Sequence, residues 1–244
     1  VMMLLRSAAF QIAFYAWTIL MLLLYLPALL VPRLVIVNGM TLWARGVLFL
    51  LRRIAGITFE ARGAGIAPGT AVILAAKHQS AFDTLIFHVL VHDPALVMKR
   101  ELLAIPLYGW HARKVGMIAN GRHSGAAELR RLVQAARDAA AMHRPIVIFP
   151  QGTRTAPGVS APYQPGIAAL YAKLDLPVVP LAVNSGLFWP RRRFAKYPGT
   201  IVFEFLPAIP PGLPRRQFMA ELESAIETAS LRLAAEGSHG GMET

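Results

Sequence analysis

The chain has 244 residues, enough for one large domain or for one domain with an appendage, and 55% of them are hydrophobic, with a mean hydropathy of +0.48. Twenty-five Lys and Arg stand against 13 Asp and Glu, a net charge of +12. A chain both apolar and basic points to an anionic partner at a membrane, and neither zinc-finger spacing nor an RNP-type aromatic motif supports nucleic acid in that role. Cysteine is absent, so disulfides, thiolate zinc sites and a cysteine nucleophile are excluded.

The first element is an apolar run. Residues 7–32, SAAFQIAFYAWTILMLLLYLPALLVP, carry no charge, and ~20 such residues cross a bilayer core. The run is too long for a signal-peptide core and no small-x-small cleavage site follows, so it is expected to stay in the protein. Pro27 and Pro32 end or kink this helix. A second apolar stretch, Gly39–Gly56, spaces Arg45, Arg52 and Arg53 along one helical face. Three arrangements fit: a spanning helix followed by an interfacial one, a hairpin dipping into one leaflet with its arginines at the headgroups, or a buried core pair. Arginines concentrate after the first helix, so the positive-inside rule places the rest of the chain on the cytoplasmic face of the inner (plasma) membrane.

From Ile57 onward short β-type runs alternate with helices. Strands are expected at 57–63 (ITFEARG), 70–77 (TAVILAAK), 94–100 (PALVMKR), 145–150 (PIVIFP), 176–184 (LPVVPLAVN) and 199–209 (GTIVFEFLPAI), with a short one in VGMIANGR. Helices are expected at 81–91, 124–142, 166–174 and 216–235. That alternation predicts an α/β fold, a central, largely parallel mixed sheet covered by helices. The organisation that follows is an anchor over 1–56, an α/β domain over 57–236 and a frayed tail over 237–244.

Chemistry gathers where strands end. In AAKHQSAFDTL, His78 falls in the turn after a buried strand, and Ser80 with Asp83 reads as a capping box opening the next helix. A turn at His78 lets Asp83 fold back, accept from one ring nitrogen and leave the other as a general base; the plainer role for Asp83 is a helix cap. A second strand-end turn, IVIFPQGTR, offers Gly152 for close backbone approach, the Thr153 hydroxyl and the Arg154 fork, which are phosphate-holding parts. A third, VGMIANGR, sets Arg122 beside Gly121 before a helix. No Walker-type loop is present, which disfavours nucleotide phosphoryl transfer. His88 and His92 have metal-site spacing but no third ligand, so no metal is expected. Arg191–Arg193, flanked by Phe188, Trp189, Phe194 and Tyr197, reads either as a solvated loop or as one that contacts headgroups or an acidic carrier.

Four blocks in this order resemble the glycerophospholipid acyltransferase family, whose bacterial members make phosphatidic acid from 1-acylglycerol-3-phosphate. They are HQSAFD (His78–Asp83), GMIANGR (Gly116–Arg122), FPQGTR (Phe149–Arg154) and VVPLAV (Val178–Val183). Between the first two, VMKRELLAIPLYGW is similar to the family's basic segment and brings in Lys99. The likeness runs from about Ala71 to Ile209 and extends to an N-terminal two-helix anchor. It implies catalytic residues His78 and Asp83, and substrate contacts from Lys99, Arg122, Gln151, Gly152, Thr153 and Arg154. It also implies no cofactor beyond an acyl-CoA or acyl carrier protein thioester as co-substrate, and as partners a membrane phospholipid surface and a lyso-lipid phosphate. One departure is Gln151, where the family usually has Glu; an amide can still hold a glycerol hydroxyl. Two other readings remain at this stage, a non-catalytic membrane-anchored lipid-binding protein and a lipid hydrolase using Ser80, as does a different lyso-lipid acceptor.

Overall fold

The computed structural model describes residues 1–121 and 125–239. It begins with two apolar helices, α1 (Met2–Leu24) and α2 (Leu34–Leu50). Pro27 starts a single 3-10 turn between them, as its fixed φ and missing N–H allow. The helices run antiparallel, with Arg6 donating to the Ile54 carbonyl near the open end (2.7 Å) and Trp17 to the Trp43 carbonyl (3.0 Å). Glycine makes the close approach possible: a Cβ on Gly39 would lie 2.4 Å from the Tyr25 ring, and one on Gly46 2.4 Å from Trp17. A π-helical turn, Leu51–Ala55, follows α2, and Gly56 in the left-handed region (φ 69°) stops it.

The remainder is an α/β unit: β1 (Ile57–Arg62), β2 (Ile73–Ala76), α3 (Phe82–Leu85), α4 (Phe87–Leu90), β3 (Ala95–Lys99), α5 (Tyr108–Val115), β4 (Ile118–Asn120), α6 (Ala126–Ala141), β5 (Ile146–Ile148), α7 (Pro165–Leu174), β6 (Val178–Val183), α8 (Ser185–Phe188), β7 (Gly199–Phe205) and α9 (Arg215–His239). The seven strands form one sheet in the order β1-β7-β6-β2-β5-β3-β4. Every pairing is parallel except β6 with β7, so the expected largely parallel mixed sheet is what forms. The four residues of β2 are all buried, as a strand covered on both faces requires.

Alternation sorts the core. Leu74 and Ala76 of β2, Val147 of β5 and Leu181 of β6 face one cluster with Phe82, Phe87 and Phe203, whereas Ile73, Ala75, Ile146 and Ile148 face the other, with Leu132 of α6, Leu170 of α7 and Phe218, Leu222 and Ile226 of α9. Phe10, Ala44, Val47 and Leu51 of the two-helix unit belong to the first cluster. The opposite side of that unit is open: Leu5, Ile12, Ile19, Leu23 and Leu24 are each more than half exposed. The two helices are therefore not a detached appendage, since one side completes the α/β core and the other shows apolar side chains to the surroundings.

A buried ion cluster ties the hairpin's connection to the sheet. Asp93 accepts from Arg33 and, at 3.1 Å, from Arg144, which also donates to the Val115 and Gly116 carbonyls. Several details differ from expectation, among them a short helix, α8, that no sequence pattern announced and a last strand that stops at Phe205 instead of 209. The helix at 81–91 is two short segments either side of Ile86, α5 had no sequence prediction, and α9 continues to His239, three residues past the expected boundary at 236. Of the expected tail, residues 240–244 lie outside the described residues.

Candidate active site

Three adjacent parallel strands, β6, β2 and β5, end side by side, and the segments leaving them carry the chemistry, as is usual for open α/β sheets. His78 leaves β2 in the turn before α3. Its Nδ1 lies 3.0 Å from Oδ2 of Asp83, whose carboxylate is fully buried. The same oxygen accepts from the backbone N–H groups of Gln79 (2.6 Å) and Ser80 (2.8 Å), while Oδ1 accepts from the Ser185 hydroxyl (2.5 Å). Ser80 Oγ accepts from the Phe82 N–H at 3.2 Å, so only the aspartate half of the expected Ser80–Asp83 box forms, the serine oxygen bonding the first residue of the helix instead of Asp83. Capping and holding the imidazole are thus one function of Asp83, not alternatives, because the turn that starts the helix also brings the carboxylate to the ring.

The imidazole is constrained on its other sides. Its face stacks on Phe149 with centroids 4.1 Å apart, and the backbone carbonyl of His78 accepts from the Thr155 N–H at 2.8 Å, which holds the turn beneath the ring. Among the described residues Nε2 has no partner, and the side chain is 14% exposed. A carboxylate behind one nitrogen and an open second nitrogen is the arrangement of a general base.

The turn after β5 supplies the second wall. Gly152 adopts φ 66°, a conformation that favours glycine, and Thr153 and Arg154 are half-buried beside it. Burial first, and then the neighbouring Arg191, pushes the Arg154 guanidinium below its ordinary pKa, with Asp83 opposing. Arg191 donates to the Arg154 carbonyl at 2.6 Å, which brings the Arg191–Arg193 loop to the rim of the site. That loop is also fastened to α1: the Lys196 N–H donates to Ser7 Oγ (2.9 Å), and Trp189 packs edge-on against Phe10 and Phe14.

Other expected residues are placed differently. Gln151 is buried and turned inward, its Nε2 donating to Glu227 at 3.3 Å and its Oε1 accepting from Thr155 at 3.3 Å; its polar atoms are engaged within the protein. Lys99 is exposed at the end of β3, on the same sheet edge. Arg122 lies outside the described residues, although Gly121 before it donates to Glu128 at 2.6 Å. His88 is buried while His92 is exposed, and no group of three metal-binding side chains occurs among the described residues. Phe149, Ser185 and Glu227 escaped sequence reasoning as contributors to the site. Phe149 sits inside FPQGTR and could have been suspected, whereas Ser185 and Glu227 meet the site only through tertiary contacts.

Comparison with known proteins follows the same geometry. A family model described as acyltransferase matches residues 58–184, more than half of the chain. A 1-acyl-sn-glycerol-3-phosphate acyltransferase of Pseudomonas aeruginosa is 34% identical over 185 residues, covering 76% of this chain and 72% of that protein. The human 1-acyl-sn-glycerol-3-phosphate acyltransferase alpha is 27% identical over 179 residues, covering 72% and 62%. Among solved structures, the 1-acyl-sn-glycerophosphate (LPA) acyltransferase PlsC of Thermotoga maritima superposes with a TM-score of 0.79 over 95% of this chain and 97% of that one; at 18% identity the likeness speaks to fold.

Proposed function

We propose, because this chain belongs to the acyltransferase family, that it transfers an acyl chain from a thioester to the free hydroxyl of 1-acylglycerol-3-phosphate, giving phosphatidic acid for phospholipid synthesis. The observation that carries the reading is the pairing of His78 Nδ1 with buried Asp83, with Nε2 open at the carboxyl end of a central parallel strand. Relatives named for this reaction support the choice of acceptor.

The step balances without a covalent enzyme intermediate. The acceptor's hydroxyl oxygen attacks the thioester carbonyl while Nε2 of His78 removes its proton, and Asp83 stabilises the resulting imidazolium. Collapse of the tetrahedral intermediate breaks the C–S bond, and the imidazolium returns its proton to the departing thiolate. Ester and thiol are the products. Ser80 is no nucleophile here: its oxygen caps α3, and no Gly-x-Ser-x-Gly elbow surrounds it. Arg154, with Arg122, holds the acceptor's phosphate and places its hydroxyl against His78, so that orientation supplies part of the rate. The donor is an acyl-CoA or an acyl carrier protein thioester, and no cofactor or metal takes part.

The exposed apolar side of the two-helix unit supports a membrane location for this reaction, with the α/β unit on the cytoplasmic face as the arginine distribution favours. Purified full-length protein given lysophosphatidate and a long-chain acyl-CoA is expected to form phosphatidate only when both are present. Fatty acid release without a donor would indicate a hydrolase, and no turnover under any combination would leave a lipid-binding role.

A further inference from the structure

Beneath the catalytic turn lies a charged group that the reaction does not use. Lys77, the residue before His78, is 2% exposed. A buried ammonium is costly unless it is paired, and the chain supplies the pairing from the far end of the sequence. Lys77 Nζ donates to Oε2 of Glu227 on α9 at 2.6 Å and to the Val159 carbonyl at 2.9 Å. The other Glu227 oxygen accepts from the Tyr163 hydroxyl at 3.1 Å and from Gln151 Nε2 at 3.3 Å. Gln151 Oε1 accepts from Thr155 Oγ1, and the Thr155 N–H donates to the carbonyl of His78. The chain of contacts leaves the backbone one residue before His78 and returns to His78 itself.

We infer that Glu227 is a positioning residue for the catalytic histidine, the carboxylate through which the carboxy-terminal helix holds the β2 and β5 turns in register. It reaches no reacting atom. Its two oxygens join the strand end that carries His78 to the turn that carries Arg154, so base and phosphate clamp move together only while Glu227 is in place. The neutral side chain at 151 belongs to the same device. An amide N–H can donate to Glu227 at that distance, whereas a carboxylate would set a second anion beside the first, with one buried ammonium between them.

This inference rests on the acyl-transfer reading, and the test separates the two. Replacing the ion pair by apolar side chains of similar volume, Lys77→Met with Glu227→Leu, removes the register without leaving a lone buried charge, and such exchanges are commonly tolerated by the fold. The double variant is expected to melt within a few degrees of the wild type, with kcat for phosphatidate formation down roughly 10- to 100-fold and the acceptor KM little changed. Gln151→Glu is expected to lose activity relative to the wild type at alkaline pH and to regain that ratio as the pH falls, because one shared proton between two adjacent carboxyl groups removes their repulsion. Adding Glu227→Gln to it restores one anion and one amide, and recovers most of the alkaline loss. Wild-type kcat in the folded Lys77→Met/Glu227→Leu protein, or a wild-type pH profile for Gln151→Glu, overturns the inference. If the wild type itself transfers no acyl chain, the functional reading has failed instead. The ring ¹⁵N resonances of His78 then report positioning directly: they must shift in the apolar double variant, and unchanged resonances overturn the inference.

Discussion

At the scale of single residues, Asp83 has the densest role, because four donors converge on one fully buried carboxylate: two backbone N–H groups, the Ser185 hydroxyl and the His78 ring. His78 contributes little packing of its own beyond Phe149, so His78→Ala is expected to fold, to keep its membrane association and to lose acyl transfer by about 10²–10⁴-fold. A folded His78→Ala enzyme with near-normal kcat would remove the base assignment. Asp83→Asn should be worse for stability than for geometry, since its amide cannot accept at every position where the carboxylate does. Arg154 is a different case. Its effect should fall on acceptor KM, because a lost charge-assisted bond to phosphate costs roughly 1.5–3 kcal/mol, a rise of about 10- to 100-fold; initial rates across a lysophosphatidate series measure it. The sequence made His78, Asp83 and Arg154 readable because each lies a few residues past a buried apolar run, where a strand must end. It concealed Glu227, 150 positions from the lysine it pairs with. No local pattern in α9 distinguishes that glutamate from Glu221 or Glu223, which are exposed.

At the scale of elements, the strands were legible and the short helices were not, for physical reasons that differ. ILAA, IVI and VVPLAV are covered on both faces, and a strand so covered reads as an unbroken apolar run. α5, by contrast, is only eight residues with arginine and lysine in its last turn, and the face it buries is carried by Gly109, His111, Ala112 and Val115; three of those four are small or polar, so the buried face does not stand out as an apolar run. α4 holds the buried His88, whose ring faces Trp43 edge-on. Burial, opposed by the charge of Asp93, pushes its pKa down to about 4 from an ordinary 6.5. Above pH 6.5 the ring is neutral in the folded and unfolded chain alike and has no effect on stability. As pH falls from 6.5 toward 4 the unfolded chain takes up a proton that the folded one refuses, so stability is lost by up to about 3 kcal/mol. Melting temperature followed from pH 7.5 to 4.5 should therefore drop more steeply in the wild type than in His88→Gln, and parallel curves would show that His88 does not set this acid sensitivity.

At the scale of the whole molecule, the division at residue 56 is a change of composition more than a physical boundary. Phe10, Val47 and Leu51 are fully buried in the cluster that holds Phe82 and Phe203, and Arg33 meets the buried Asp93 across the junction. Removing residues 1–56 would open that core, so the shortened chain is expected to aggregate rather than to persist as a free domain, contrary to what the clean shift in pattern at Ile57 suggests. The anchor is better tested by changing only what faces outward. Leu5, Ile12, Ile19 and Leu23 lie on α1 and are 61%, 72%, 55% and 52% exposed. Replacing all four by Gln leaves the packed side intact and removes about 1.5 kcal/mol or more of membrane affinity per side chain. Arg192 and Arg193, both exposed and without a carboxylate partner among the described residues, remain to attract an anionic surface, and that attraction is screened beyond ~10 Å at 0.1 M salt. The quadruple variant should therefore float with anionic vesicles at low salt and release at high salt, while the wild type floats at both. Melting like the wild type would show that the fold is unharmed. Full flotation of the folded variant at high salt would mean that another surface inserts into the bilayer.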